Sequence, residues 1–200
     1  MTPSRRAQHA ADTRAALLSA ARALFAERGY AATGTEDVVA AARVTRGALY
    51  HHFRDKAALF GAVVEQVGAE LAERLIRQQL DRPAAGGPLD QIRDGLAAFL
   101  DTCVDSDFQR LVLVEGPIVL GADAWNDLAE RHGLRLLTEW LERAMDAGEL
   151  DRQPAEVLAR LIVAMIIEAS LVIARAADQA SARAEVGAVL DRTLRGLRPG

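Results

Sequence analysis

Apolar residues in this 200-residue chain recur every three or four positions almost from end to end, and no run alternates apolar with polar as a half-buried strand does. Leu17, Ala21, Leu24 and Phe25 make an i, i+4, i+7, i+8 stripe that predicts a helix over about 12–28, ended by Gly29 as a left-handed cap. Thr35 is placed to cap a short helix reading "EDVVAAA" as far as Ala42, with Glu36 and Asp37 in its first turn. Thr45 caps a third, to about His51. Asp55 opens a long amphipathic helix from Lys56 to about Gln79, on the order of 36 Å at helical rise. "DRPAAGGPLD", residues 81–90, reads as a linker. Further helices are predicted at roughly 89–106, 108–120 (broken at Gly116–Pro117), 124–147, 154–177 and 181–197. The expected fold is all-α, with about nine helices. A three-helix N-terminal head with a helix-turn-helix, residues 1–55, is joined by the long helix to a C-terminal bundle, residues 56–200.

Composition narrows the function classes. Half the residues are hydrophobic and 26% are charged, so the chain has the means to bury a core. Its single cysteine, Cys103, excludes an internal disulfide framework and fits a reducing compartment. Residues 1–13 are polar and lack the apolar stretch of a secretory signal. The most apolar segment, "LIVAMIIEASLVIARAA" from Leu161, is interrupted by Glu168 and Arg175. It is read as a buried helix of a cytoplasmic protein, with no membrane partner expected. The net charge of −4 is unevenly spread. Residues 1–60 hold nine basic against five acidic side chains, and the rest hold 15 basic against 23 acidic. A basic head on an acidic body is what an anion-binding head requires.

One segment, "TRGALYHHF" from Thr45, buries little beyond Ala48, Leu49 and Phe53 yet crowds together hydrogen-bonding groups. Two short helices across a tight turn make a helix-turn-helix, whose second helix enters the major groove of DNA. The exposed face of such a helix needs small or hydrogen-bonding residues, as Thr45, Arg46, Gly47, Tyr50, His51 and His52 are. Gly47 permits close backbone approach, and Arg46 has the forked donors that match guanine O6 and N7. Tyr50, His52 and Lys56 carry donors for phosphate oxygens. His51 and His52 do not form a metal pair, because adjacent helical positions point about 100° apart. No metal site, catalytic constellation or phosphate-binding glycine loop can be assembled. An enzyme and a bound cofactor are therefore not expected.

At these positions the chain resembles the DNA-binding domain of the tetracycline-repressor (TetR) family of transcriptional regulators. The resemblance covers "TRAALLSAARALFAERGYAATGTEDVVAAARVTRGALYHHFRDKAALF", residues 13–60. It implies phosphate contacts from Thr35, Tyr50, His52 and Lys56, and base contacts from Thr45, Arg46 and Gly47, with Glu36 at the rim. Two positions depart from the family pattern. Val39 stands where alanine is usual, and Arg43 stands where the turn usually has glycine. Arg43 is expected to hold a left-handed conformation at a cost of roughly 1 kcal/mol, free to reach a phosphate.

The resemblance further implies a homodimer through 154–177 and 181–197 on a pseudo-palindromic operator in double-stranded DNA. It also implies a body pocket for a small-molecule effector that releases the repressor from its operator. Candidate lining residues are Phe99, Cys103, Phe108, Leu111, Trp125, Trp140, Met165 and Glu168. Each of these is equally well read as ordinary core or interface. The helix from Lys56 is expected to be the one covalent route from body to head. Two other readings stay open: a DNA-binding regulator controlled by a protein partner or by no ligand, and a small all-α enzyme.

Overall fold

The computed structural model describes residues 4–81 and 86–198; residues 82–85 of the expected linker lie outside the described residues. Every regular element among the described residues is a helix. The helix-turn-helix lies within α1 (Arg5–Arg28), α2 (Thr35–Ala42), α3 (Arg46–His52) and the start of α4 (Lys56–Asp81). Then come α5 (Pro88–Thr102) and the short α6 (Ser106–Phe108), which runs through a π-helical segment (Gln109–Val114) into α7 (Glu115–Leu120). A second π-helical segment (Glu130–Leu134) joins α8 (Ala122–Ala129) to α9 (Arg135–Asp146). The long α10 (Ala155–Arg175) and α11 (Gln179–Arg195) complete the chain.

The predicted boundaries shift where local chemistry beats the apolar pattern. Helix α1 starts at Arg5 and not near residue 12. Ser4 caps it, its hydroxyl accepting from the Ala7 amide, and the alanine-rich first turns need no buried stripe. Gly34, not Thr35, caps α2, and the Asp37 carboxylate reaches back to the Gly34 amide at 2.8 Å. The expected break at Gly116–Pro117 is absent because Pro117 sits in the first turn of α7, where a backbone N–H would lack a helical partner anyway. The expected caps Thr45 and Asp55 are both in place, accepting from the amides of Ala48 (3.2 Å) and Ala58 (2.7 Å).

Two compact units result, and packing partitions the chain differently from the sequence. The first takes residues up to Val67 together with Arg110–Trp125. Its core is Leu17, Ala21, Phe25, Val38, Leu49, Leu59, Phe60 and Val63, all fully buried. Phe25, Tyr30 and Phe60 form an aromatic triangle with centroid separations of 5.2–5.8 Å. The second unit takes Gly68–Gln109 and Asn126–Gly200. Leu89 and Ile92 of α5 pack there with Leu137 and Leu141 of α9 and Leu158 and Ile162 of α10. The chain therefore passes between units at 67/68, 109/110 and 125/126. The single covalent route expected through α4 is joined by two others.

Candidate nucleic-acid interface

Helix α3 is held from one side only. Leu49 is fully buried and Phe53 nearly so, and the Arg14 guanidinium lies 5.4 Å from the Phe53 ring centroid. Arg46, Gly47, Tyr50 and His51 face outward. The turn before the helix depends on Arg43, at φ 55° and ψ 41°, the one non-glycine residue with positive φ among the described residues. Its amide bonds Ala40 O and that of Val44 bonds Val39 O, which closes the α2 carboxyl end and leaves the Arg43 side chain exposed. The arginine accepts the left-handed strain, as its place in the turn required.

The expected DNA-contacting residues divide into three groups. Glu36, Arg46, Gly47 and Tyr50 converge on one exposed patch. The Arg46 Nη1 lies 2.9 Å from the Glu36 carboxylate, and its guanidinium carbon is 5.5 Å from the Tyr50 ring centroid. Gly47 has open space on its side-chain face; an added Cβ would meet nothing nearer than Thr45 Oγ1 at 3.9 Å. His51 is exposed and His52 half-buried beside it, their rings edge-on at 5.2 Å. A second group is occupied by the fold but still reachable. Thr45 spends a lone pair on its cap while its hydroxyl proton stays free, and Thr35 is half-buried in the first turn of α2.

Lys56 forms the third group, with two of its three N–H donors taken up by the fold. Its ammonium turns inward, donating to Tyr30 O at 2.9 Å and Thr33 O at 3.1 Å, 4.2 Å from the Tyr30 ring centroid. The α1–α2 turn presents carbonyls that helix geometry leaves unpaired, and a cation at the start of α4 satisfies them.

Two residues that sequence reading missed hold the same turn. Arg110 Nη1 donates to Ala26 O (2.7 Å) and Glu27 O (2.8 Å), the negative carboxyl end of α1. The Glu115 carboxylate accepts from the Tyr30 amide at 2.9 and 3.1 Å. Gly29, at φ 83°, makes room: an added Cβ would stand 2.7 Å from Glu115 Oε1. Separations of more than 80 residues left no local signal for either contact.

The eight candidate pocket residues are spread over α5 to α10. Phe99 and Phe108 meet edge-on at 6.0 Å, beside the buried Cys103. Burial pushes the Cys103 thiol up to about 11, although a bond to Ser170 Oγ (3.3 Å) opposes the rise. Leu111 and Trp125 belong to the first unit, where the Trp125 indole donates to Val112 O at 2.8 Å. Trp140 packs against the Leu137–Leu141 cluster. Met165 and Glu168 are exposed. They share the outer face of α10 with Val157, Leu161 and Val172, because these positions repeat at three- and four-residue intervals. None of the eight lines the 630 Å³ cleft around Leu134 and Thr138 or the 300 Å³ cleft between α5 and α11.

Comparison with known proteins adds what geometry alone does not. A family model described as bacterial regulatory proteins of the tetR family matches residues 17–63, and one described as a tetracyclin repressor-like C-terminal domain matches residues 89–197. The chain belongs to the TetR family. It is 31% identical over 179 residues to the HTH-type transcriptional repressor Rv3405c of Mycobacterium tuberculosis strain H37Rv, covering 78% of this chain and 90% of that protein. A match to the HTH-type transcriptional regulator AcrR of Shigella flexneri is 35% identical over 106 residues, 53% of this chain and 48% of AcrR. The crystal structure of the TetR-family regulator ECA1819 from Pectobacterium atrosepticum superposes with a TM-score of 0.83 at 36% identity, covering 99% of both chains. RolR, crystallised with resorcinol, shares the fold at 18% identity (TM-score 0.72, 96% of this chain and 95% of RolR). This TetR-family protein is a DNA-binding transcriptional regulator and not an enzyme.

Proposed function

We propose that the protein is a repressor that binds a pseudo-palindromic operator as a homodimer in the cytoplasm and is released by a small molecule. The observation that carries the DNA reading is Gly47. Glycine in a helix is disfavoured relative to alanine, by about 1 kcal/mol in an interior and by less at the second position of α3. Neither its φ nor any neighbouring atom requires it, since Cβ space is open. A residue that burdens the fold without serving it is accounted for by a duplex backbone that must come close. Arg46 then reads base edges, Thr45 offers its hydroxyl proton, and Arg43, Tyr50 and His52 fix the register on phosphates.

The dimer reading is supported by α10. Val157, Leu161, Met165 and Val172 make an apolar stripe along it, joined by Val189 on α11, each at least 36% exposed. A second copy of the same stripe buries it and sets two α3 helices on one operator. For release, the effector is placed against Phe99, Cys103 and Phe108, where the edge-on ring contact and the Cys103–Ser170 hydrogen bond must yield. Phe108 stands two residues before Arg110, the side chain that grips the end of α1. Displacing Phe108 therefore strains the hold on the head. A ligand acts this way only if it binds better to the displaced state. RolR with its resorcinol provides a precedent for a ligand in this fold.

The test is selection of bound fragments from random and genomic DNA, repeated with Gly47→Ala. The wild type should yield one two-fold-related site. The variant should fold as well as or better than the wild type, yet bind that site at least tenfold more weakly. Equal affinity of the two proteins would remove the argument from Gly47. A screen for compounds that lower affinity for the selected site then tests effector release.

A further inference from the structure

The acid at position 36 is the odd member of the exposed patch. A surface that meets a polyanion gains from every cation and loses from every carboxylate, yet Glu36 stands beside Arg46 with both side chains 66% exposed. Ion pairs this open to solvent contribute little to folding. The fold does not depend on Glu36 for a helix cap either, since Asp37 supplies that bond. What Glu36 does is occupy one end of a guanidinium fork. Arg46 Nη1 faces the carboxylate at 2.9 Å, and the Tyr50 ring flanks the group at 5.5 Å. Arginine carries five N–H donors, so one edge is held and the others remain for a partner with two acceptors side by side.

We propose that Glu36 is a positioning residue that makes Arg46 a reader of guanine instead of a phosphate clamp. Freed of Glu36, the long arginine side chain reaches any nearby phosphate, which gives affinity without sequence information. Paired with Glu36, it must abandon a carboxylate to do so, while guanine O6 and N7 are met by the edge left open. The pair therefore lowers binding to all DNA and raises the contrast between guanine and other bases at one position. This inference rests on the DNA-binding reading above and adds a division of labour between two neighbouring helices.

The test compares the wild type with Glu36→Ala, Glu36→Gln and Arg46→Ala by selection from random-sequence DNA, with the salt dependence of binding measured on a selected site and a scrambled duplex. The position whose guanine preference disappears in Arg46→Ala marks the base that Arg46 reads. At that position both Glu36 variants should lose about tenfold of the guanine preference, within the range expected for a bidentate contact. They should also bind the scrambled duplex more tightly, with a salt slope steeper by about one. Circular dichroism and thermal midpoint should match the wild type. Retention of full guanine preference by both variants overturns the proposal, as does weaker binding to the scrambled duplex. An Arg46→Ala profile unchanged at every position also overturns it. Failure of the wild type to bind any duplex would sink the DNA reading itself, and is told apart from these outcomes by the wild-type arm alone.

Discussion

Lys56 illustrates how one side chain is claimed by the fold before it can serve a partner. Its ammonium satisfies two carbonyls of the α1–α2 turn, so the head depends on it for stability. Lys56→Met keeps most of the stem and removes the donors; hydrogen bonds to a charged group are worth about 1.5–3 kcal/mol. Urea unfolding should show a loss of that order. The salt slope of DNA binding should stay at the wild-type value, where loss of a phosphate contact would lower it by about one. Cys103 presents the same logic in a body residue. Burial lifts its thiol from 9.0 to about 11, so the folded state holds the proton more tightly than the unfolded one. Stability from this group is full below pH 9 and falls as pH rises towards 11. Denaturation midpoints across pH 8–11 should decline more steeply for the wild type than for Cys103→Ala. Thiol reagents at pH 8 should leave the native protein unmodified.

At the scale of elements, the stretch 106–121 shows how backbone chemistry sets geometry that an apolar pattern does not reveal. Pro117 has no N–H for a carbonyl one turn back, the six residues before α7 (Gln109–Val114) take π geometry, and the Val112 carbonyl accepts from the Trp125 indole. The indole lies over Gly116, where an added Cβ would be 2.9 Å from Trp125 Cδ1 and 3.2 Å from Leu111 O. Gly116→Ala should therefore destabilise the protein by about 1–3 kcal/mol through overpacking and shift the tryptophan emission. Melting followed by fluorescence will read both. The turns on either side of α3 were legible in sequence, since "Thr-Arg-Gly" and "Asp-Lys" are cap signals. The grip of Arg110 and Glu115 on α1 was not, because its partners are backbone atoms more than 80 residues away.

For the whole molecule, the proposed second copy explains an otherwise costly surface. Leu161 is 60% exposed at the centre of the α10 stripe. Leu161→Glu should leave the monomer fold intact, since the side chain contacts little within its own chain, and shift the population to monomers in sedimentation experiments. Operator affinity should fall far more than affinity for a half-site, because two heads are then no longer held together. Among the described residues, helix α10 alone meets the length and composition of a membrane span, with a third of its most apolar window buried. The dimer experiment decides what covers the remainder.

The sequence by itself determined the all-helical fold, the helix-turn-helix and the family, because periodicity, caps and turn residues act over a few positions and survive without coordinates. It also marked Arg46, Gly47 and Tyr50 as outward, since a short helix with one apolar face has nowhere else to put them. Tertiary structure decided which charged groups remain available. Lys56 turned inward, Glu36 closed on Arg46, Met165 and Glu168 faced outward, and residues 110–125 joined the head. The Lys56 and Glu36 outcomes depend on which carbonyl or opposite charge lies within about 3 Å in space, and the others on which faces the units bury; spacing along the chain records neither fully.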